Sequence, residues 1–180
     1  MKRCKWVNLK NEKYIFYHDN EWSRIKTSDL EIFESLILEI FQSGLSWEIV
    51  LSKRESFKKA FDFYDLKKIS NYNFEKVNEL MNNKSIIRHK SKILASINNA
   101  KVFLEIQKQW TNFSNYIWSF TNKKIIFEPN KKNSKLSNQI CLDLKNKGMK
   151  FIGSTIIYNF LQSIGIINSH DKNCFLYLEK

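Results

Sequence analysis

Residues 28–44 read SDLEIFESLILEIFQSG. Leu30, Phe33, Leu36, Ile37, Ile40 and Phe41 recur three and four apart, so an α-helix would carry them as one apolar stripe facing a core. A half-buried strand would need strict alternation, which this run lacks. Ser28 followed three residues later by Glu31 is the pattern of a capping box. Gly44 supplies the left-handed residue on which helices commonly end. Ser46 can cap a following helix that runs through Val50, Leu51, Phe57 and Phe61. Asp65 and Asn73 are suitable caps for two further short helices. A long helix is predicted over 88–107, with Ile93, Ile97, Ala100 and Leu104 on one face. Another precedes Gly148, and the last runs from Ser154 to about Ile164. The first two dozen residues are aromatic and irregular. Residues 120–139, FTNKKIIFEPNKKNSKLSNQ, are polar and basic and carry Pro129, so they read as a solvated loop with a short strand at IIF. Four glycines and one proline are little punctuation for a β-rich chain. The expectation is an all-α fold, one domain over 1–180 with two helical lobes around one core.

With 43% hydrophobic and 14% aromatic residues the chain can bury a core, which excludes global disorder. A net charge of +12 predicts attraction to a polyanion, most simply nucleic acid. The same excess accompanies a chain rich in Lys, Asn and Ile, so charge alone does not decide. No apolar run approaches ~18 residues, and MKRCKWVNLKNEK has no apolar signal core. Three cysteines form no disulfide framework. These features predict a cytoplasmic protein without membrane attachment; a monomer is the default expectation, with no protein partner evident.

Only three histidines exist. Cys4 and His18 lie near the start, and SHDKNC (169–174) places His170 and Cys174 four apart near the end. A Cys₂His₂ set suits tetrahedral zinc, and a metal held by both ends would explain ligands in a tail. The other reading is two unrelated histidines and two free thiols. Four protein ligands leave no open position for water, which disfavours a helical zinc hydrolase. His89, beside Arg88 and Lys90, contacts phosphate or packs a helix end. Cys141 reads as a buried small hydrophobe.

RCKWV, YHDNEW, GLSW, IIRHKSKI and KGMKFIGSTIIY, in this order, resemble the bacterial 3-methyladenine DNA glycosylase I family, a branch of the helix-hairpin-helix DNA glycosylases. The resemblance runs from Arg3 to about Cys174. It implies a structural zinc on Cys4, His18, His170 and Cys174 that joins the terminal segments. This chain departs from the family at Ile40 and Phe41, where small residues are usual, at Ser43 in place of alanine, and at Ser85 and Ser91 in place of glycines. Its 121–140 region is shortened.

The resemblance also assigns roles. Trp47 would stack on a flipped base and Trp6 would cap its other side. Tyr14 and Trp22 would be pocket wall or core. Glu39, a lone carboxylate among apolar neighbours in LILEIF, is by its sequence setting paired or functional if buried, or else a surface glutamate on the polar stripe that also carries Glu31 and Glu34. The family's pocket glutamate falls on Glu39, where with Tyr17 it would read the edge of the base. Most helix-hairpin-helix glycosylases add a catalytic aspartate after the hairpin; residues 153–165 contain no acid, as in this family. DNA contact is expected from Lys147, Gly148, Lys150 and Gly153 of the hairpin, from Ser154 and Thr155 at the following helix N-terminus, and from Leu45 as the wedge that fills the gap left by the base. The activity implied is monofunctional removal of 3-methyladenine from alkylated double-stranded DNA, leaving an abasic site. The alternative is a zinc-stabilised module that binds damaged DNA without cleaving it.

Overall fold

A computed structural model describes residues 1–177. The chain is mostly helical, with α1 (Glu12–Asn20), α2 (Asp29–Gln42), α3 (Trp47–Ala60), α4 (Leu66–Ser70), α5 (Phe74–Asn82), α6 (Lys90–Trp110), α7 (Phe113–Ser119), α8 (Lys135–Asn146) and α9 (Ser154–Ser163). Two short strands, β1 (Ile126–Phe127) and β2 (Ile167–Asn168), pair in parallel, with Ile126 opposite Ile167. No helix of the described residues is long and apolar enough to cross a membrane.

The α2 stripe is the centre of the core. Phe33, Leu36, Ile37, Ile40 and Phe41 are fully buried, and α2 packs against α3, α6, α7 and α9. Leu30 departs from the predicted stripe and is 50% exposed, because it sits in the first turn before the helix reaches its neighbours. The capping box at Ser28 does not form, since the Ser28 side chain caps nothing. Asp29 instead turns outward and accepts from the Phe113 and Ser114 backbone N–H groups at 2.7 and 2.9 Å, so α2 caps the start of α7. Ser46, Asp65 and Asn73 cap α3, α4 and α5 as expected. His89 is the N-cap of α6, its ring accepting from Lys92 N–H.

Two expectations fail locally, and one helix went unpredicted. The irregular opening segment contains α1, started by Asn11, whose side chain accepts from the Lys13 and Tyr14 N–H groups. Its aromatic residues follow no clean apolar stripe, because they serve a pocket wall and not the main core. The loop assigned to 120–139 gives way to α8 at Lys135, where Ser134 and Ser137 cap each other reciprocally. Helix α7 lies in a segment without a predicted element, too short for periodicity to show.

A second, smaller cluster of Cys4, Val7, Tyr17, Trp22, Leu51 and Cys174 gathers the two ends of the chain, with Trp47 packed against both clusters. The β1–β2 pair sets the approach to it. Strand β2 leads into the segment bearing His170 and Cys174, and β1 leads into Pro129 and Asn130. Tyr158 of α9 then holds that segment, its hydroxyl donating to the Pro129 carbonyl at 3.2 Å.

Candidate functional site

A cavity of about 230 Å³ opens where α1, α2, α3 and α9 meet. Its walls are Trp6, Tyr14, Tyr17, Trp22 and Trp47, with Glu39 at 5% exposure among them. All six residues singled out from the sequence for base reading therefore line one space. The Trp6 and Trp22 rings meet edge to face at 4.9 Å, Trp6 and Tyr14 at 5.6 Å, and Tyr17 leans on Trp47 at 5.1 Å. Each ring thus packs against another. Among the described residues the buried indole N–H of Trp47 has no hydrogen-bond partner.

Burial pushes the Glu39 carboxyl up to about 8, against a partial counter-pull from the Lys26 ammonium and the Asn159 amide. Burial, with Glu39 beside it, raises Tyr17 well above the ordinary tyrosine value, so its hydroxyl keeps its proton and can donate. Gln42, Asn130, Asn159 and Gln162 complete the lining and were not singled out from the sequence. Asn159 and Gln162 carried a signal: two amides three apart on one face of the apolar run STIIYNFLQS. Asn130 carried none, since it lies in the segment read as solvated loop. It is brought in by Gln162, which donates to its side-chain oxygen at 3.1 Å. Ile40 and Phe41 lie away from the lining in the main core, Phe41 packing on Phe57 at 4.7 Å, so they do not shape the cavity directly.

Next to the cavity, Cys4, His18, His170 and Cys174 are buried together, with their ligand atoms all within 4.8 Å of one another. Cys4 Sγ lies 3.4 Å from His170 Nδ1, and Cys174 Sγ lies 3.5 Å from His18 Nε2 and 3.6 Å from His170 Nδ1. A tetrahedron with bonds of 2.0–2.3 Å has edges of about 3.6 Å, so the set fits a four-coordinate metal ion. Around it, His18 Nδ1 meets Asp19 at 2.8 Å, and Arg3 grips Asp19 at 2.7 Å. Such outer partners fix a ligand ring's tautomer and angle. The Asp171 and Leu176 N–H groups point at the sulfurs of Cys4 and Cys174 at 3.3 and 3.4 Å. Without a cation, burial pushes the Cys4 thiol up to about 12 and His170 down to about 4. A cation would reverse the first and accept the second as it stands. Edge contacts of 5.3 Å from Trp6 to His18 and 4.7 Å from Trp22 to His170 join the cluster to the cavity wall.

The residues expected to contact DNA fall on two turns. Leu45 is exposed at the α2–α3 corner after Gly44, which has φ +83°. Residues 147–153 join α8 to α9, with Gly148 at φ +94° and Gly153 as an N-cap that offers no side chain to α9. Asn99 of α6, fully buried, holds this turn by accepting from Lys150 N–H at 2.8 Å and donating to Lys150 C=O at 3.0 Å. Asn98 donates to the Gly148 carbonyl at 2.8 Å. Lys92 ties both turns together, donating to the Phe41 and Ser43 carbonyls at 3.1 and 2.8 Å while lying 5.6 Å from the Phe151 ring. Lys150 and Thr155 are exposed, and Ser154 is half-buried. Lys147 is exposed too, but its ammonium sits over the Tyr116 ring at 5.5 Å, toward α7.

A model of the methyladenine glycosylase family matches residues 6–177. The chain belongs to that family. Two members are similar over nearly their whole lengths. The DNA-3-methyladenine glycosylase of Haemophilus influenzae is 39% identical over 96% of both chains. The DNA-3-methyladenine glycosylase 1 of Escherichia coli K12 is 37% identical over 98% of this chain and 97% of that one. Among solved structures, a crystal structure of 3-methyladenine DNA glycosylase I has a TM-score of 0.93 at 36% identity, covering 98% of this chain and 100% of that one. A tyrosine-to-phenylalanine variant of such a glycosylase, in complex with 3-methyladenine, has a TM-score of 0.92 at 28% identity, covering 97% of both.

Proposed function

We propose that this methyladenine glycosylase hydrolyses the N-glycosidic bond of 3-methyladenine in alkylated duplex DNA and leaves an abasic site. The observation that carries the reading is a buried carboxyl, Glu39, inside an aromatic cavity of about 230 Å³. That volume lies below the ~300 Å³ at which pockets for drug-sized ligands begin, and suits one planar base. A base in duplex DNA must be flipped out to enter it.

The chemistry needs little apparatus. 3-Methyladenine is cationic while attached to the sugar, so it is already an activated leaving group. Stacked on Trp47, it gains cation–π attraction of about 2 kcal/mol when desolvated. Its charge also favours the ionised form of Glu39, and the pair attract in a site poor in water. Neutral adenine receives neither term. The C1′–N9 bond breaks with its electron pair going to the base, which leaves neutral. Water adds to the sugar cation and sheds a proton. A carboxylate with a value near 8 is basic enough to take it. Tyr17 donates its O–H to the edge of the base. Among the described residues no lysine lines the cavity, so none of them places an amine there to form a Schiff base.

The Cys₂His₂ cluster is read as a structural zinc site, its four protein ligands leaving no position for water. The bound ion would cross-link the two terminal segments. The α8–turn–α9 unit is read as a helix-hairpin-helix element whose open α9 N-terminus receives a phosphate. Leu45 is read as the wedge.

The test is incubation with methylated duplex DNA, with released bases separated by chromatography and strand integrity followed. Free 3-methyladenine with intact, alkali-labile strands is expected. Direct strand cleavage would contradict the monofunctional mechanism. Tight binding without release would favour the damage-binding module.

A further inference from the structure

Helix α6 carries two rows of buried side chains. Ile93, Ile97 and Ala100 pack in the core, as their spacing predicts. The second row is polar: Lys92, Ser96 and Asn99 follow one another at helical spacing and are 4%, 0% and 0% exposed. Ser96 closes on α6 itself, its hydroxyl donating to the Lys92 carbonyl at 2.8 Å. The other two reach the two turns that are read as DNA contacts. Asn99 holds the Lys150 backbone of the α8–α9 turn, and Lys92 holds the end of α2.

A buried ammonium is costly unless it is paired or hydrogen-bonded. Among the described residues no carboxylate pairs with Lys92. Its Nζ donates instead to the Phe41 and Ser43 carbonyls, at 3.1 and 2.8 Å. These close the last turn of α2, where carbonyls lack helical partners and the helix dipole is negative. Leu45 is fastened to the same turn. Its N–H donates to the Gln42 carbonyl at 2.8 Å, and its own carbonyl accepts from the Gln42 side chain at 3.2 Å. On its other side the Lys92 ammonium stands over the Phe151 ring, 5.6 Å from its centre and within cation–π range. Phe151 has φ +57°, a conformation that disfavours a bulky side chain. Its ring is braced between Lys92 and the His89 ring, which lies 5.7 Å away.

We propose that Lys92 is a positioning residue for base flipping: one buried ammonium fastens the Leu45 corner to Phe151 of the α8–α9 turn, so that wedge and phosphate-binding turn meet the duplex as one rigid surface. This rests on the readings of Leu45 and of the α8–α9 turn given under Proposed function. A wedge that enters a duplex is pushed back by the stack it parts, and a loosely held corner would yield in place of the base pair. Lys92 is not among the residues that line the cavity, so it acts on the duplex and not on the bound base.

The test compares the full chain as wild type, Lys92→Met, Phe151→Leu and the double variant. Methionine keeps the stem of the side chain and removes its charge and hydrogen bonds. Leucine leaves those bonds and removes the ring. Two affinities are measured: free 3-methyladenine by tryptophan fluorescence, which reads the cavity alone, and a duplex carrying an abasic-site analogue by anisotropy. Each single variant should bind the duplex ~10-fold more weakly and the free base within about twofold of wild type. The double variant should be no more than about twofold weaker on the duplex than the poorer single, because both changes cut one link. Should Lys92→Met fail to fold, Lys92→Arg takes its place with the same expectation, since the longer planar head keeps the charge and loses the spacing. Unchanged duplex binding would overturn the proposal, as would equal losses on duplex and free base, or losses that multiply in the double variant. Leu45→Ala runs beside them. Duplex binding unchanged in Leu45→Ala would overturn the wedge reading and the proposal with it. A loss in Leu45→Ala with none in Lys92→Met would overturn the proposal alone.

Discussion

At the scale of one residue, Glu39 is held against its own preference. A carboxyl raised from 4.5 to about 8 by burial binds its proton more tightly folded than unfolded. Its contribution to stability is therefore fully present below the unfolded value and is lost as pH rises through the folded value. Glu39→Gln removes that loss. The variant should match wild type in acid and be more stable by roughly 1–3 kcal/mol at pH 9, as measured by urea denaturation across pH. A constant difference at all pH values would mean that Glu39 is not buried in charged form. Glu39 was legible in the sequence as a lone acid among LILEIF neighbours, and the family resemblance separated it from the polar-stripe acids Glu31 and Glu34. The role of Lys92 was not, because its partners lie at the end of α2 and in the α8–α9 turn, and no sequence spacing joins them.

At the scale of elements, α2, α3, α6 and α9 were legible because each is long enough to repeat an apolar stripe, and α3 also starts at the cap its sequence offers, Ser46. Helix α1 was hidden because its aromatics face a pocket, and α7 because seven residues carry too little periodicity. The clamp on the α8–α9 turn was also invisible, since Asn99 reads as an ordinary polar residue until α6 is placed. Asn99→Ala would leave the Lys150 N–H and C=O unpaired. It should cost about 1–3 kcal/mol of stability. It should weaken binding to an abasic-site duplex ~10-fold by fluorescence anisotropy, while binding of free 3-methyladenine stays unchanged. The turn after α9 is fixed by contact. Gly165 has φ +82°, and a Cβ there would lie 2.6 Å from the Arg24 backbone. Gly165→Ala should lower thermal stability by about 2–4 kcal/mol, read as the shift in Tm.

At the scale of the whole molecule, the chain's two ends meet at Cys4, His18, His170 and Cys174. The four residue types were legible; that they converge was not derivable from spacing, since residues 4 and 174 approach only through the fold. Because Trp6 and Trp22 pack on His18 and His170, the cluster also supports the cavity. If the cluster holds the zinc proposed for it, a chelator should lower Tm and activity together, and adding zinc should restore both. Activity lost at unchanged Tm would assign the metal to catalysis instead. The central claim remains that a buried carboxylate in an aromatic cavity selects a cationic base. The most direct measurement is single-turnover release of 3-methyladenine from methylated duplex DNA by wild type and Glu39→Gln, at pH 8, with both proteins folded and metal-loaded. The account predicts release by wild type and a 10–100-fold slower rate in the variant, equivalent to about 1.4–2.7 kcal/mol. Equal rates would contradict it.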